Sequence, residues 1–119
     1  MNEVKLGVIE SKFADIIWSN EPLSSGELAK LCEKELNWKK STTYTVLRRL
    51  CQKGILQNQD AIVTSLIKKD EYMALRSEQM LEDEFNGSLP QFVAAFMSRK
   101  KLSKKQISEI QKLIDEYEE

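Results

Sequence analysis

A mainly α-helical fold with one small β-hairpin is what this 119-residue sequence predicts. Three observations carry the prediction. Apolar residues recur at three- and four-residue spacing through six separate stretches. A single run, Ala61-Ile62-Val63-Thr64, has strong strand character. Two helix starts carry reciprocal capping signatures, Ser24-Ser25-Gly26-Glu27 and Ser103 with Gln106.

The elements follow in order. Leu6, Ile9, Phe13, Ile16 and Ile17 share one helical face, which predicts a first helix over about Val8–Asn20, ended by Pro22 and a short extended link. The Ser24 box starts a second helix that runs to about Leu36, with Leu28, Leu31 and Cys32 inward. A third helix covers about Ser41–Lys53, and Gly54 supplies the left-handed residue that stops it. Ile55–Gln57 and Ala61–Ile67 read as two strands around the polar tip Asn58-Gln59-Asp60. Three helices and a hairpin in this order make a winged helix-turn-helix. Asp70 is placed as the cap of a fourth helix over about Glu71–Phe85, closed by Asn86-Gly87. A fifth helix spans about Leu89–Arg99 and a sixth about Lys104–Tyr117.

The boundary between the halves falls near Lys68-Lys69-Asp70, giving a winged helix over 1–69 and a three-helix domain over 70–119. In the second half Leu89, Phe92, Val93, Phe96 and Met97 form one apolar stripe. Ile107, Ile110, Leu113, Ile114 and Tyr117 form another. About 50 residues cannot hide so many large apolar groups within themselves, so burial against a second copy is expected, and this half is a dimerisation domain.

Composition narrows the function. The net charge is −1, yet the charge is segregated. Trp38–Lys53 carries five positive charges (Lys39, Lys40, Arg48, Arg49, Lys53) and no acid, while Asp70–Glu84 holds six acids against one base. Local field governs phosphate contact, so the near-neutral total does not exclude DNA. There is no histidine, which excludes His-based triads and histidine-rich zinc sites, and four glycines form no phosphate loop. No enzyme activity, metal or cofactor is expected. No apolar run approaches the roughly 20 residues that span a bilayer, and no export signal opens the chain, so a cytoplasmic location is expected. Cys32 and Cys51 read as small apolar residues within helices rather than a disulfide.

The third helix, within STTYTVLRRLCQKG, concentrates the functional signal. With Thr43, Leu47 and Leu50 inward, Ser41, Thr42, Tyr44, Thr45 and Arg48 point away from the core. Short hydroxyls can meet base edges or phosphates, a threonine methyl can pack on a thymine methyl, and Arg48 suits a guanine edge or a phosphate. These are the requirements of a helix in a DNA major groove, with Lys39, Lys40 and Lys53 neutralising phosphates. Arg49 is left between DNA contact and a brace to an acid in the first or second helix. Trp18 and Trp38 read as core. Lys100, Lys101, Lys104 and Lys105 are either solvated or paired with fourth-helix acids across a dimer.

Motifs along nearly the whole chain resemble the penicillinase-repressor family. They are Ile17-Trp18, Trp38, Thr42-Thr43-Tyr44-Thr45-Val46-Leu47-Arg48-Arg49-Leu50 and Lys53-Gly54-Ile55-Leu56 in the first half. Asp70-Glu71-Tyr72, Asn86-Gly87-Ser88-Leu89, Val93-Ala94-Ala95-Phe96 and Leu102-Ser103 follow in the second. The resemblance implies a homodimeric repressor on a palindromic double-stranded operator. It also implies a membrane-bound sensor peptidase that responds to a β-lactam, after which the repressor is cut within its dimerisation domain. The matching bond here joins Ala95 and Phe96. Ala95 stands where the antibiotic-linked repressors often carry asparagine. Gln59, Asp60 and Ser65 stand where wings of the family often carry basic and tyrosine residues, which implies a weaker wing contact. The chain ends in Asp115-Glu116-Tyr117-Glu118-Glu119, without the cysteine-rich hook of the family's copper-responsive branch. The competing reading is a winged-helix module whose third helix binds another protein.

Overall fold

The computed structural model describes residues 5–117. Its elements are α1 (Val8–Asn20), β1 (Leu23–Ser24), α2 (Ser25–Leu36), α3 (Lys40–Gln52), β2 (Leu56–Gln59), β3 (Ile62–Ser65), α4 (Lys69–Phe85), α5 (Leu89–Arg99) and α6 (Lys104–Asp115). The chain forms two compact units, the first reaching Ser77 and the second starting at Glu78. The first unit therefore takes in the opening turns of α4. A winged helix-turn-helix followed by helices is the predicted fold class.

The first unit closes over one core. Phe13 and Ile17 of α1, Leu28 and Cys32 of α2, Val46, Leu47 and Leu50 of α3, and Ile55, Leu56 and Val63 of the wing are buried together. Phe13 stacks on Trp38 with ring centroids 5.5 Å apart, so Trp38 serves the core as expected. Trp18 lies 5.5 Å from the buried Tyr72 ring and donates its indole N–H to the Ile67 carbonyl at 3.0 Å. The Tyr72 phenol in turn accepts the Leu6 N–H at 3.2 Å. These contacts root the start of α4 against α1.

Local chemistry explains most boundaries. Ser24 and Glu27 form the reciprocal box that opens α2, at 3.0 and 3.2 Å. Ser103 and Gln106 do the same for α6. Asn37 closes α2 in the left-handed region, and Gly54 takes φ +79° after α3. Ser88 caps α5 by accepting the Gln91 N–H.

Some expectations are corrected. Ile9 is 51% exposed: the first turn of α1 runs past the end of the core, and Leu6 fills that end instead. Leu31 only packs against the core's edge. The link after Pro22 is a third strand, for Leu23 and Ser24 pair antiparallel with Val63 and Ile62 to give the order β1-β3-β2. Asn58 and Gln59 belong to the ladder rather than the tip. The turn is Asp60-Ala61, both with positive φ, as a two-residue hairpin with mirror-image geometry needs. Leu66 and Ile67 leave the ladder; both N–H groups turn back to the Ile55 carbonyl. Asp70 is not a cap. Helix α4 starts at Lys69, its Tyr72 N–H bonds the Lys68 carbonyl, and Asp70 sits in the first turn, where its charge still suits the helix dipole. Helix α6 stops at Asp115, with Tyr117 outside it.

One carboxylate ties the wing to α1. Glu21 accepts the Ser65 N–H at 2.8 Å, the Ser65 hydroxyl at 2.8 and 2.9 Å, and the Lys68 ammonium at 3.0 Å. Burial pushes its pKa up, and the Ser65 and Lys68 bonds together outweigh that and hold it below the ordinary 4.5. Folded Glu21 thus binds its proton less readily than unfolded Glu21. Its contribution to stability is fully present above the unfolded value and is lost as pH falls through the folded one. Glu21→Gln should lower unfolding free energy by about 1–3 kcal/mol at pH 7. That deficit should shrink in urea titrations carried out below the folded pKa.

Candidate nucleic-acid interface

The rotation of α3 about its own axis decides what it presents. Thr43, Val46, Leu47 and Leu50 are buried on one side. At about 100° per residue, Ser41, Thr45, Arg48 and Gln52 form the opposite stripe, and all four are exposed. Tyr44 lies on one flank, half-buried, and Thr42 lies exposed on the other. Lys39 and Lys40 are exposed at the helix start. The structure therefore places Ser41, Thr42, Thr45 and Arg48 on the exposed part of one helix, with Tyr44 half-buried at its edge. Gln52 was missed, although its spacing of eleven from Ser41 puts it on the same stripe.

The hydroxyls are not equivalent. Thr45 donates to the Ser41 carbonyl at 2.9 Å, so its hydrogen is committed within the helix. What it offers outward is a lone pair and a methyl group, which suits a base amino group or a thymine methyl. Thr43 is buried, and its hydroxyl finds no hydrogen-bond partner of standard geometry. It nonetheless lies close enough to the Cys32 thiol to pull that pKa down against the burial that raises it.

The cations divide into two groups. Arg49 donates to Glu10 of α1 at 3.1 Å, and Lys53 stands 3.8 Å from the same oxygen. The brace that sequence left open is therefore present, and Lys53 shares it. Glu10 uses its other oxygen to accept the Gly7 N–H at 3.1 Å. The Gly7 bond, then Lys53 and Arg49, hold its pKa below the ordinary value despite the opposing effect of burial. Lys39, Lys40 and Arg48 have no acid within ion-pair distance among the described residues. The Lys40 ammonium sits 5.7 Å above the Tyr44 ring.

Between α3, the start of α2 and the wing lies an open cleft of about 550 Å³ lined by Ser25, Tyr44, Leu47, Arg48, Cys51 and Asn58. Ser25 and Asn58 were not singled out from sequence, because neither shares a helix with the basic run. The Ser25 N–H bonds the Ala61 carbonyl at 2.8 Å and so joins α2 to the wing tip. Burial raises the Cys51 thiol pKa against a weaker pull from the Asn58 backbone, which keeps it protonated. Both cysteines are free thiols.

The second unit presents apolar surface. None of its described residues is buried. Leu89, Phe96 and Met97 of α5 and Ile107, Ile110, Leu113 and Ile114 of α6 are exposed, Leu113 to 72%. Phe92 and Val93 are half-buried, and Phe92 meets Phe85 and Phe96 edge-on. Ala95 and Phe96 lie inside α5, both exposed, and the Ala95 carbonyl accepts the Ser98 hydroxyl at 2.7 Å.

A winged helix whose third helix shows hydroxyls and, among the described residues, cations without ion pairs on its outer face has the surface chemistry of a DNA-binding transcription regulator. Residues 6–116 match the family model described as penicillinase repressor. The chain is also 27% identical over 112 residues to a penicillinase repressor of Bacillus licheniformis, an alignment covering 91% of this chain and 88% of that one. The chain belongs to the penicillinase repressor family of transcriptional repressors.

Helix α3 opens without a side-chain cap, with Lys39 at the cap position and no acid in its first turn. Its free N–H groups and two lysines suit an anion and disfavour the isolated helix. Lys39→Asp should stabilise the fold by about 1 kcal/mol in thermal unfolding, while weakening duplex binding in a fluorescence-anisotropy titration.

Proposed function

We propose that this repressor acts as a homodimer on a palindromic double-stranded operator, with one copy of α3 in each major-groove half-site. The observation that carries the reading is the outward stripe Ser41, Thr45, Arg48 and Gln52, in which Arg48, like Lys39 and Lys40 beside it, has no acid at ion-pair distance among the described residues. In this reading Arg48 contacts a guanine edge or a phosphate and Thr45 reads a base, aided by Ser41, Thr42 and Tyr44. Lys39 and Lys40 hold phosphates and set the register. Half-sites lie one or more helical turns apart, about 10 bp each.

The working division is a reading head over 1–69 and a dimerisation clamp over 70–119. Support for the clamp is the second unit's lack of any buried described residue. A segment this short does not hold together without a core, and covering its apolar stripes with a second copy supplies one. Release of the operator follows cleavage between Ala95 and Phe96, performed by a membrane-bound sensor peptidase. A peptidase takes its substrate extended, so α5 must open first. In the single chain no side chain of this 11-residue helix is buried, so it opens at little cost whenever the second copy is not covering it.

Two measurements test the reading. Arg48→Ala should weaken binding to an operator selected from random DNA by about 10- to 100-fold, corresponding to roughly 1–3 kcal/mol. The dimer mass should not change in sedimentation. Cleavage at Ala95–Phe96 strips Phe96, Met97 and all of α6 from the clamp. Losing even a few hundred Å² of apolar burial at roughly 25 cal/mol per Å² removes several kcal/mol. The cut protein should therefore dimerise at least about a thousandfold more weakly. A cut chain that sediments as an undiminished dimer would refute this route.

A further inference from the structure

Of the five cations between Trp38 and Lys53, two turn away from the outer stripe of α3. Arg49 and Lys53 lie on the flank that meets α1, where one Glu10 oxygen holds both. The Glu10 side chain is only 17% exposed, while Arg49 and Lys53 remain about half open, at 52% and 42%. The carboxylate is anchored independently, because its other oxygen accepts the Gly7 N–H at the start of α1. A cation paired with a fixed acid contributes little to counterion release, since a phosphate must first displace the carboxylate.

We propose that Glu10 is an affinity-setting residue that withholds Arg49 and Lys53 from the DNA backbone. The inference rests on the DNA-binding reading above and deepens it. Contacts to phosphate carry no sequence information, so every cation added to the backbone strengthens all sites alike. Sequestering two per protomer lowers affinity for every duplex alike and leaves discrimination to the outer stripe. The near-neutral total charge works in the same direction.

Glu10→Gln isolates the charge. Glutamine keeps a carbonyl oxygen for the Gly7 N–H, so the start of α1 is preserved. Each phosphate neutralised contributes about 0.9 to the slope of log K against log salt. The full-length variant should bind a random-sequence duplex with a slope steeper than wild type by about one to two per protomer. Its random-duplex affinity should rise by about tenfold or more at low salt, and its operator affinity should rise by a similar factor. Glu116→Gln, at the end of α6, changes the net charge equally and should leave the slope at the wild-type value. Arg49→Gln in the otherwise wild-type chain should move the slope by less than about half a unit, because that guanidinium is already engaged.

A folded Glu10→Gln variant with a wild-type slope overturns the inference. So does an equal steepening in Glu116→Gln, or the loss of a full unit in Arg49→Gln. The last of these does not depend on the Glu10 variant folding. A wild-type chain that binds no duplex at any salt overturns the DNA reading itself, and this inference with it.

Discussion

The seating of α3 in the core is the constraint on which the rest of this molecule depends. Thr43, Val46, Leu47 and Leu50 go under together, against side chains from α1, α2 and the wing. A slip of one residue would turn the helix by about 100°. That would drive Arg48 or Arg49 toward an apolar interior, where an unpaired charge is costly. The roll of α3 is thus set by burial rather than by the polar groups it displays. The neighbouring contacts each restrain a different edge of the same arrangement. Glu10 holds the α1 flank, Ser25 and Ala61 join α2 to the wing, and Glu21 fastens the wing to the end of α1.

Local stability is unevenly distributed. Helices α2 and α6 open with reciprocal side-chain boxes, and α5 with a serine cap. Helix α3 has none, begins with two lysines, and buries a threonine hydroxyl without a partner of standard geometry. Each feature opposes the isolated fold by a small amount. Local conflicts of this kind gather where a surface serves something other than stability. Their concentration on the helix with the hydroxyl and cation stripe is a physical argument for that helix as the reading element, separate from any family likeness.

Elements with their own periodicity and punctuation were legible in the sequence. The bounds of α1 and α5 agree residue for residue, because Pro22, Ser88 and Pro90 mark them chemically. The third strand was not legible: two residues carry no alternation, and Leu23-Ser24 becomes a strand only because β3 lies beside it. The wing tip was misplaced because Asp60-Ala61 lacks the glycine that usually announces such a turn. Ile9 fits the inward pattern of α1, but periodicity does not say where a core ends. The same limit applied to the cations. Five positive charges in a row of residues look alike in sequence, and only the approach of α1 separates Arg49 and Lys53 from Arg48. Gln52 was available from spacing alone and was obscured by attention to charge.

Under the proposed function, the division into two units lets a switch in the second govern DNA binding by the first. Between Trp38 and Lys53 each head offers only three cations without an acid at ion-pair distance among the described residues, and the tip of its wing is acidic at Asp60. One such head holds DNA weakly. Two heads joined by a clamp convert the second contact into an intramolecular event at high effective concentration, so overall affinity can exceed that of either head by about 10²–10⁴. Occupancy then depends on the clamp as strongly as on α3. A chain that keeps its heads weak, and leaves the apolar stripes of α5 and α6 without a core of their own, gains a repressor that can be disabled without touching a DNA contact. Stronger heads would defeat this arrangement, since they would stay bound singly after the clamp had gone. Weak reading and a breakable clamp are therefore two halves of one requirement.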